Sequence, residues 1–594
     1  MTAGSPVKAR PENRKIVVNR GDDAASSPMR KTYIALISAY ALVYLLPLGV
    51  RPLMAPDEVR YAEIPREMLT SGDWVVPHLA GVRYFEKPVL GYWLSAMAMK
   101  LFGENAFAVR LPSALAAGLS ALTVFLLVRR FGGGEITAPV AATVLLSSGM
   151  FLAIGTFAIL DSALTFFLTA AIALFFAADC AVTRTARNGL LALFGICCGL
   201  AFLVKGFLAF AVPVAVIVPY MVWERRWKEL FRMAWVPMLA ALIVALPWGI
   251  LIHQREPDFW GYFFWHEHIR RFFSHTRAQH AKPFWYFLPM LAAGVLPWTL
   301  LLPAAAIGLR STDLRDRLTR YALCWFAFPF LFFSTCSGKI ATYILPCFPP
   351  LAILCSIGLQ RYYAAGRNRA FTVGASVFAT GIGIASAGLA LVQILDLGEL
   401  AVYRPDETWK WVLAVAAGLA CSLCVAHAAR ANSSSWNTRA TLIGAGGGLL
   451  FLVMPAVLPA VVIDRRAPGP FLLQIADRIT PDTIVVADKP MIQPACWFFR
   501  RTDVHQTDDS GELGHGLAYP DAKWRLLPES AIGEMLANSA RRIRIAIIVD
   551  GEDYPQARLQ LPPPTFEHIG PRYVYAEFEG GGNLPPERAN GQQQ

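Results

Sequence analysis

"KTYIALISAYALVYLLPLGVRPLMAPDEVRYAEIPREM" covers residues 31–68. Its first half is almost wholly apolar and long enough to cross the roughly 30 Å of a bilayer's hydrocarbon core. Its second half sets Asp57, Glu58, Glu63 and Glu67 among Arg60, Tyr61 and Arg66. An apolar span opening straight into carboxylates predicts a membrane bundle whose chemistry lies at the bilayer surface. Shortly afterwards "RYFEKPV" (83–89) adds Tyr84, Glu86 and Lys87.

Composition supports the same class. The 594 residues are 55% hydrophobic and 16% charged, with a mean hydropathy of +0.44; a soluble chain carries about 25% charged residues. Thirteen spans are expected, at 32–50, 110–128, 136–153, 162–180, 189–204, 206–222, 234–253, 285–308, 320–335, 342–360, 370–396, 410–427 and 440–462. Residues 1–31 are polar and basic, without the apolar core of a signal peptide, and read as a disordered cytoplasmic tail. Loops at 129–135, 183–188, 223–232, 309–320 and 361–369 are dominated by Arg and Lys, as the positive-inside rule requires of the cytoplasmic face. The net charge of +12 is spread over these loops. That argues against nucleic-acid binding, which needs a soluble basic module.

The transmembrane domain is therefore expected over 32–462, with long outward loops at 51–109 and 254–284. Residues 463–594 lose the apolar character. "TIVVAD", "RIRIAIIVD" and "YVYAEFE" read as strands and "PESAIGEMLANSA" as a helix, giving a small α/β domain on the outer face. Cys496 is the one cysteine in that part, so it holds no internal disulfide.

This threading puts Asp57, Glu86, Asp161, Lys205, His266, His268, Arg270, Arg271 and Lys339 on one face. Simpler roles compete at each position. Asp57 and Asp161 could cap helices, and the carboxylates of 57–67 could form weak surface ion pairs. Lys205 and Lys339 could snorkel at span ends. Arg270 and Arg271, among aromatics, could form an interface belt or clamp a lipid phosphate. Taken together, acids near cations with aromatic and apolar walls suit a lipid-linked substrate carrying a phosphate and a sugar.

The stretch "APDEVRYAEIPREMLTSGDWVVPHLAGVRYFEKPVLGYW", with "VKGFLA" (204–209), "QREPDFWGYFFWHEHIRRF" (254–272), "GKIATYILPCF" (338–348) and "GELGHGLAYPDAK" (511–523), resembles the bacterial 4-amino-4-deoxy-L-arabinose (Ara4N) lipid A transferases. These are GT-C glycosyltransferases related to protein O-mannosyltransferases. The resemblance implies a multi-pass enzyme of the bacterial inner membrane, with juxtamembrane helices and an active site facing the periplasm. It implies undecaprenyl phosphate-linked Ara4N as donor and a lipid A phosphate as acceptor.

By position, Asp57 and Asp161 match the family's active-site acids, and Glu86 and His268 its divalent-metal contacts, for Zn or Mg. Lys87, Arg271 and Tyr343 match positions near the carrier phosphate, while Arg270 departs from the pattern. Tyr61, Tyr84, Lys205, Arg270 and Lys339 are further candidates to line the substrate and carrier-phosphate site. A phosphate acceptor is already an anion at neutral pH and needs little base, so direct displacement with inversion is expected. Two alternatives remain. One is a GT-C enzyme with another polyprenyl-phosphate sugar or a protein Ser/Thr acceptor; the other is a transporter or flippase, which would call for inverted repeats.

Overall fold

In the first span, Arg30–Gly49, the helix loosens into a π-turn at Ala41–Leu45 and tightens to a 3-10 turn at Leu46–Gly49 around Pro47, whose ring cannot continue the hydrogen-bond ladder. The computed structural model describes residues 26–580 apart from 133, 271–280, 311–313, 315, 431–435, 509–510 and 540–541. Most of the expected basic tail thus lies outside the described residues, and its last part, from Ser26, is already helical.

All thirteen expected spans fall on helices or bent helix pairs, but not all are equally long. Among the described residues, eight helices are long and apolar enough to cross a membrane, and ten segments if each bent pair is one span. The other three expectations fall on Leu208–Trp223, Arg317–Thr335 and Trp436–Val453, the last of them, 440–462, overrunning its helix into a break before Ala460–Arg466.

The two bent pairs, Thr137–Leu146 with Gly149–Gly155 and Phe284–Gly294 with Trp298–Arg310, turn by 67° and 95°. Their breaks meet. Gly149 N donates to Leu296 O at 2.9 Å, and Trp298 Nε1 donates to Ser147 Oγ at 2.9 Å. Backbone groups freed by a broken helix must find partners away from water, and here each break supplies them to the other.

The 51–109 loop is not a surface excursion. It folds into the acid-rich helix Asp57–Ser71, a short hairpin of β1 (His78–Leu79) and β2 (Val82–Arg83), and the helix Leu90–Phe102. Gly81 closes the hairpin with φ +73, and a Cβ there would stand 2.6 Å from Thr502 O of the C-terminal domain. Only glycine serves.

That domain is a five-stranded sheet of β3 (Thr483–Ala487), β4 (His505–Gln506), β5 (Ile543–Asp550), β6 (Phe566–Ile569) and β7 (Tyr573–Gly580), in the order β4-β3-β5-β7-β6. β4, β3 and β5 are parallel, and β7 pairs antiparallel to β5 and β6. The expected helix appears as Glu529–Asn538.

The acid-rich helix lies beneath this domain, which changes the meaning of its charges. Glu58 is 0% exposed and pairs with Arg110 Nε at 2.7 Å and Arg51 Nη1 at 2.5 Å. Burial alone would raise its carboxyl, but the two guanidiniums hold it down at about 2. Glu63 takes both Arg66 Nε and Nη2, at 2.7 and 2.6 Å, while Glu67 accepts from Gly81 N at 3.0 Å. Apart from the Asp57–Arg60 pair, the weak surface pairs expected from the sequence are instead buried: Glu58 lies against Arg51 and against Arg110 of the helix Ala106–Phe131, and the Glu63–Arg66 pair lies against Arg501 O of the C-terminal domain.

Candidate active site

Asp161 is the first residue of the helix Asp161–Asp179, in the joint after a bent span. It caps nothing: the position before it is Leu160, and no side-chain cap bond forms. Its carboxylate instead receives Lys205 Nζ, 2.8 Å from each oxygen. Lys205 ends the helix Arg184–Lys205, where Gly206 at φ +79 stops it, and a cation there complements the helix dipole. The ammonium also lies 5.4 Å from the Tyr343 ring centroid. Lys205 does not snorkel; it faces inward to an acid and an aromatic ring.

Asp57 likewise begins its helix without capping it, since Pro56 precedes and no cap bond forms. The Asp57 carboxylate pairs with Arg60, which also pairs with Glu512 of the C-terminal domain. Its side chain remains 48% exposed, so it can meet a substrate. The Arg60 guanidinium stands 5.1 Å from the Tyr61 ring centroid, and Tyr61 stacks on Tyr92 at 6.2 Å.

Tyr61 ties the acids together. Burial pushes its hydroxyl up, Arg60 pulls it back, and Asp57, Asp161 and Glu86 push it up further. Tyr61 and Leu160, the residue before Asp161, line one small cavity. Tyr84, also buried, is raised by burial and by Glu86 and Glu512, against Arg60.

Lys87 Nζ donates to Glu267 Oε2 at 3.1 Å and to the Glu86 carbonyl at 2.8 Å, with Glu86 Oε2 at 4.0 Å. The loops 51–109 and 254–284 therefore meet at Lys87. His266 stacks on Tyr262, and Tyr262 on His515 at 4.0 Å. Tyr519 donates to Asp258, and Arg83 pairs with both Glu256 and Asp521 at 2.8 Å. The segment "GELGHGLAYPDAK" thus fastens both loops from above, through His515, Tyr519 and Asp521.

The remaining candidates divide. Lys339 is 4% exposed, and its ammonium donates to Lys282 O at 3.0 Å and to Cys336 O, so it holds loop carbonyls together rather than snorkelling. His268 and Arg270 lie on the π-helix Gly261–Arg270, but their side chains, like all of Arg271, fall outside the described residues. Of the expected metal contacts the described donor set is thus Glu86 alone. Among the described residues no three His, Cys, Asp or Glu side chains converge to hold a metal.

Three residues of this candidate site were not singled out from the sequence: Arg60, Glu267 and Glu512. Arg60 stood in view within the opening stretch and Glu267 within "WHEHIRR", but their partners lie far away in the chain. Nothing local distinguishes them from solvated charges.

Comparison with known proteins adds the lineage. A family profile described as dolichyl-phosphate-mannose-protein mannosyltransferase matches residues 29–263. A second, described as arabinosyl transferase ArnT, C-terminal domain, matches residues 463–577. The chain is 40% identical to the undecaprenyl phosphate-α-4-amino-4-deoxy-L-arabinose arabinosyl transferase of Shewanella sediminis over 526 residues, 88% of this chain and 94% of that one. The protein of the same name from Erwinia tasmaniensis is 39% identical, over 91% of this chain and 98% of its own. This chain belongs to the Ara4N arabinosyl transferase family. The crystal structure of ArnT from Cupriavidus metallidurans bound to undecaprenyl phosphate superposes with a TM-score of 0.78. At 24% identity it covers 92% of this chain and 97% of that one, which establishes the family's GT-C fold here.

Within that fold, an apolar cavity of about 1190 Å³ opens between the helices Arg184–Lys205, Leu208–Trp223 and Glu229–Arg255. Phe202, Phe207, Ile217, Leu242 and Trp260 line it, and Lys205 ends one of its helices.

Proposed function

We propose that this protein transfers 4-amino-4-deoxy-L-arabinose from undecaprenyl phosphate to a phosphate of lipid A, at the periplasmic face of the bacterial inner membrane. The observation that carries this reading is the largely buried pair of Asp161 with Lys205, at the end of a helix that walls an apolar cavity, together with the exposed Asp57 carboxylate. It agrees with the names of the relatives and with undecaprenyl phosphate in the structural neighbour.

Each group has a task in such a transfer. The cavity offers apolar walls to the isoprenoid tail. Lys87, fed by Glu267, neutralises charge growing on the departing carrier phosphate, a form of stabilisation that is strongest where water is excluded. Asp57 is exposed enough to meet the sugar, and Asp161, set by Lys205, faces it from the other loop. Their charge favours the sugar's ammonium and the oxocarbenium character of glycosyl transfer. The acceptor phosphate oxygen attacks the anomeric carbon while the bond to the carrier phosphate oxygen breaks. No proton need be removed, because the acceptor is already ionised. A single displacement inverts the anomeric centre.

Mass spectrometry of lipid A from cells with and without the gene, donor present, tests the reaction. The expected product carries one or two added Ara4N residues; an unmodified lipid A alongside a glycosylated protein would move the enzyme to the O-mannosyltransferase-like alternative. NMR of the product tests inversion, and an anomeric configuration matching the donor's would refute single displacement. Added ammonium groups lower the surface's negative charge, so the gene should also reduce susceptibility to polymyxin and other cationic peptides.

A further inference from the structure

A second polar cavity, of about 290 Å³, lies between the start of the acid-rich helix at Ala55–Pro56 and the C-terminal domain. Its walls carry Arg465, Arg466, Lys489 and Arg572 against a single acid, Glu512. The charges do not cancel locally. Arg572 is committed to Asp550, with Nε and Nη2 each 2.9 Å from Oδ2, and Glu512 is committed to Arg60. Arg465, Arg466 and Lys489 hold no ion pair or side-chain hydrogen bond among the described residues. Lys489 lies across Gly511, where a Cβ would meet its Cε at 2.4 Å. The glycine leaves room for the ammonium's stem.

The wall also holds a group no cation explains. Gln493 is 6% exposed and donates through Nε2 to Glu512 Oε2 at 3.2 Å, but its Oε1 has no partner. A buried carbonyl oxygen left unpaired is destabilising, so it calls for a donor. Among the described residues, three cations without an ion pair and one acceptor without a donor do not describe a site for bare phosphate. They describe a phosphate attached to something bearing O–H or N–H groups. The wall is also wired to the reaction: Gln493 bonds Glu512, Glu512 pairs with Arg60, and Arg60 pairs with Asp57.

We propose that this cavity docks the phosphorylated saccharide headgroup of the acceptor, with Arg465, Arg466 and Lys489 on a phosphate and Gln493 Oε1 accepting from a sugar hydroxyl or amide. The inference rests on the acceptor being a phosphorylated glycolipid, as proposed above. Among the described residues the three cations hold no ion pair or side-chain hydrogen bond, so replacing them should spare the fold.

The test uses the full-length protein in a neutral detergent, wild type and R466Q/K489Q, with equal thermal midpoints as the control. Binding is measured for bisphosphorylated lipid A, undecaprenyl phosphate and phosphatidylglycerol. Lipid A should bind the double variant about tenfold more weakly or worse, as loss of charge-assisted contacts implies. Undecaprenyl phosphate should bind both proteins within about twofold, and a tenfold excess of phosphatidylglycerol should not displace lipid A from the wild type. Q493L should weaken lipid A by a smaller factor. Equal lipid A binding by wild type and R466Q/K489Q overturns the cavity assignment, as does displacement by equimolar phosphatidylglycerol, which would make this a site for bulk phospholipid. Wild-type protein that binds undecaprenyl phosphate but no lipid A would instead overturn the proposed acceptor itself.

Discussion

Lys205 Nζ sits 2.8 Å from both carboxylate oxygens of Asp161, with the two side chains only 12% and 11% exposed. The pair joins the end of one helix to the start of another across 44 residues. Breaking a pair this buried by removing one partner costs about 3–5 kcal/mol, since the other charge is left without compensation. Asp161→Asn should therefore lower the thermal midpoint and reduce transfer together. Adding Lys205→Met should recover most of the stability without recovering activity. Activity returning with stability in the double variant would show the pair to be purely structural.

Asp57 makes the opposite prediction. It caps no backbone group and is 48% exposed in its pair with Arg60, and such exposed pairs contribute about 1 kcal/mol or less. Asp57→Asn should leave the thermal midpoint nearly unchanged. Transfer in membranes, at matched protein abundance, should fall by about a hundredfold or more, the usual effect of removing a charge aimed at a transition state. Unchanged transfer would remove Asp57 from the site.

Glu58 sets the acid limit of the fold. Its carboxyl lies at about 2 in the folded chain, against an ordinary 4.5. The unfolded chain binds the proton first on acidification, so stability is full above pH 4.5 and declines as pH falls toward 2. The loss amounts to roughly 3 kcal/mol. Glu58→Gln should flatten that decline in an unfolding titration while destabilising the protein at neutral pH, because Arg110 and Arg51 lose their counter-charge. A wild-type acid transition that Glu58→Gln leaves unaltered would contradict this account.

Glu63 and Glu67 behave differently from Glu58. Burial raises both carboxyls, each further constrained by the other, and Glu67 is raised the more strongly. A raised carboxyl contributes stability at low pH that is lost as pH climbs through the folded value, the reverse of Glu58. Glu67→Gln retains an acceptor for Gly81 N and should cost less than about 1 kcal/mol. Glu63→Gln strips Arg66 of its carboxylate and should cost several times more. Unfolding at pH 8 compares the two, and equal losses would refute the division of roles.

Much of this protein was legible in its sequence because a bilayer imposes a one-dimensional code. Hydropathy runs and basic loops located the helices, and the strands "TIVVAD" and "RIRIAIIVD" emerged as β3 and β5. The count of spans was less secure, because a run such as 136–153 reads as one helix while the chain bends 67° within it. Asp161 and Asp57 could be named from their isolation and their motif.

What remained hidden was partnership. Lys205 looked like an interface lysine until its helix was placed beside Asp161, and Glu58, Glu63 and Glu67 looked exposed until tertiary packing buried them, while Asp57 stayed open. Glu512 and Gln493 carry no signal of their own, yet they link that domain to Asp57. Burial along a membrane helix follows from local composition, which a sequence contains. The charge that faces a given charge depends on packing between segments hundreds of residues apart, and only the folded chain decides it.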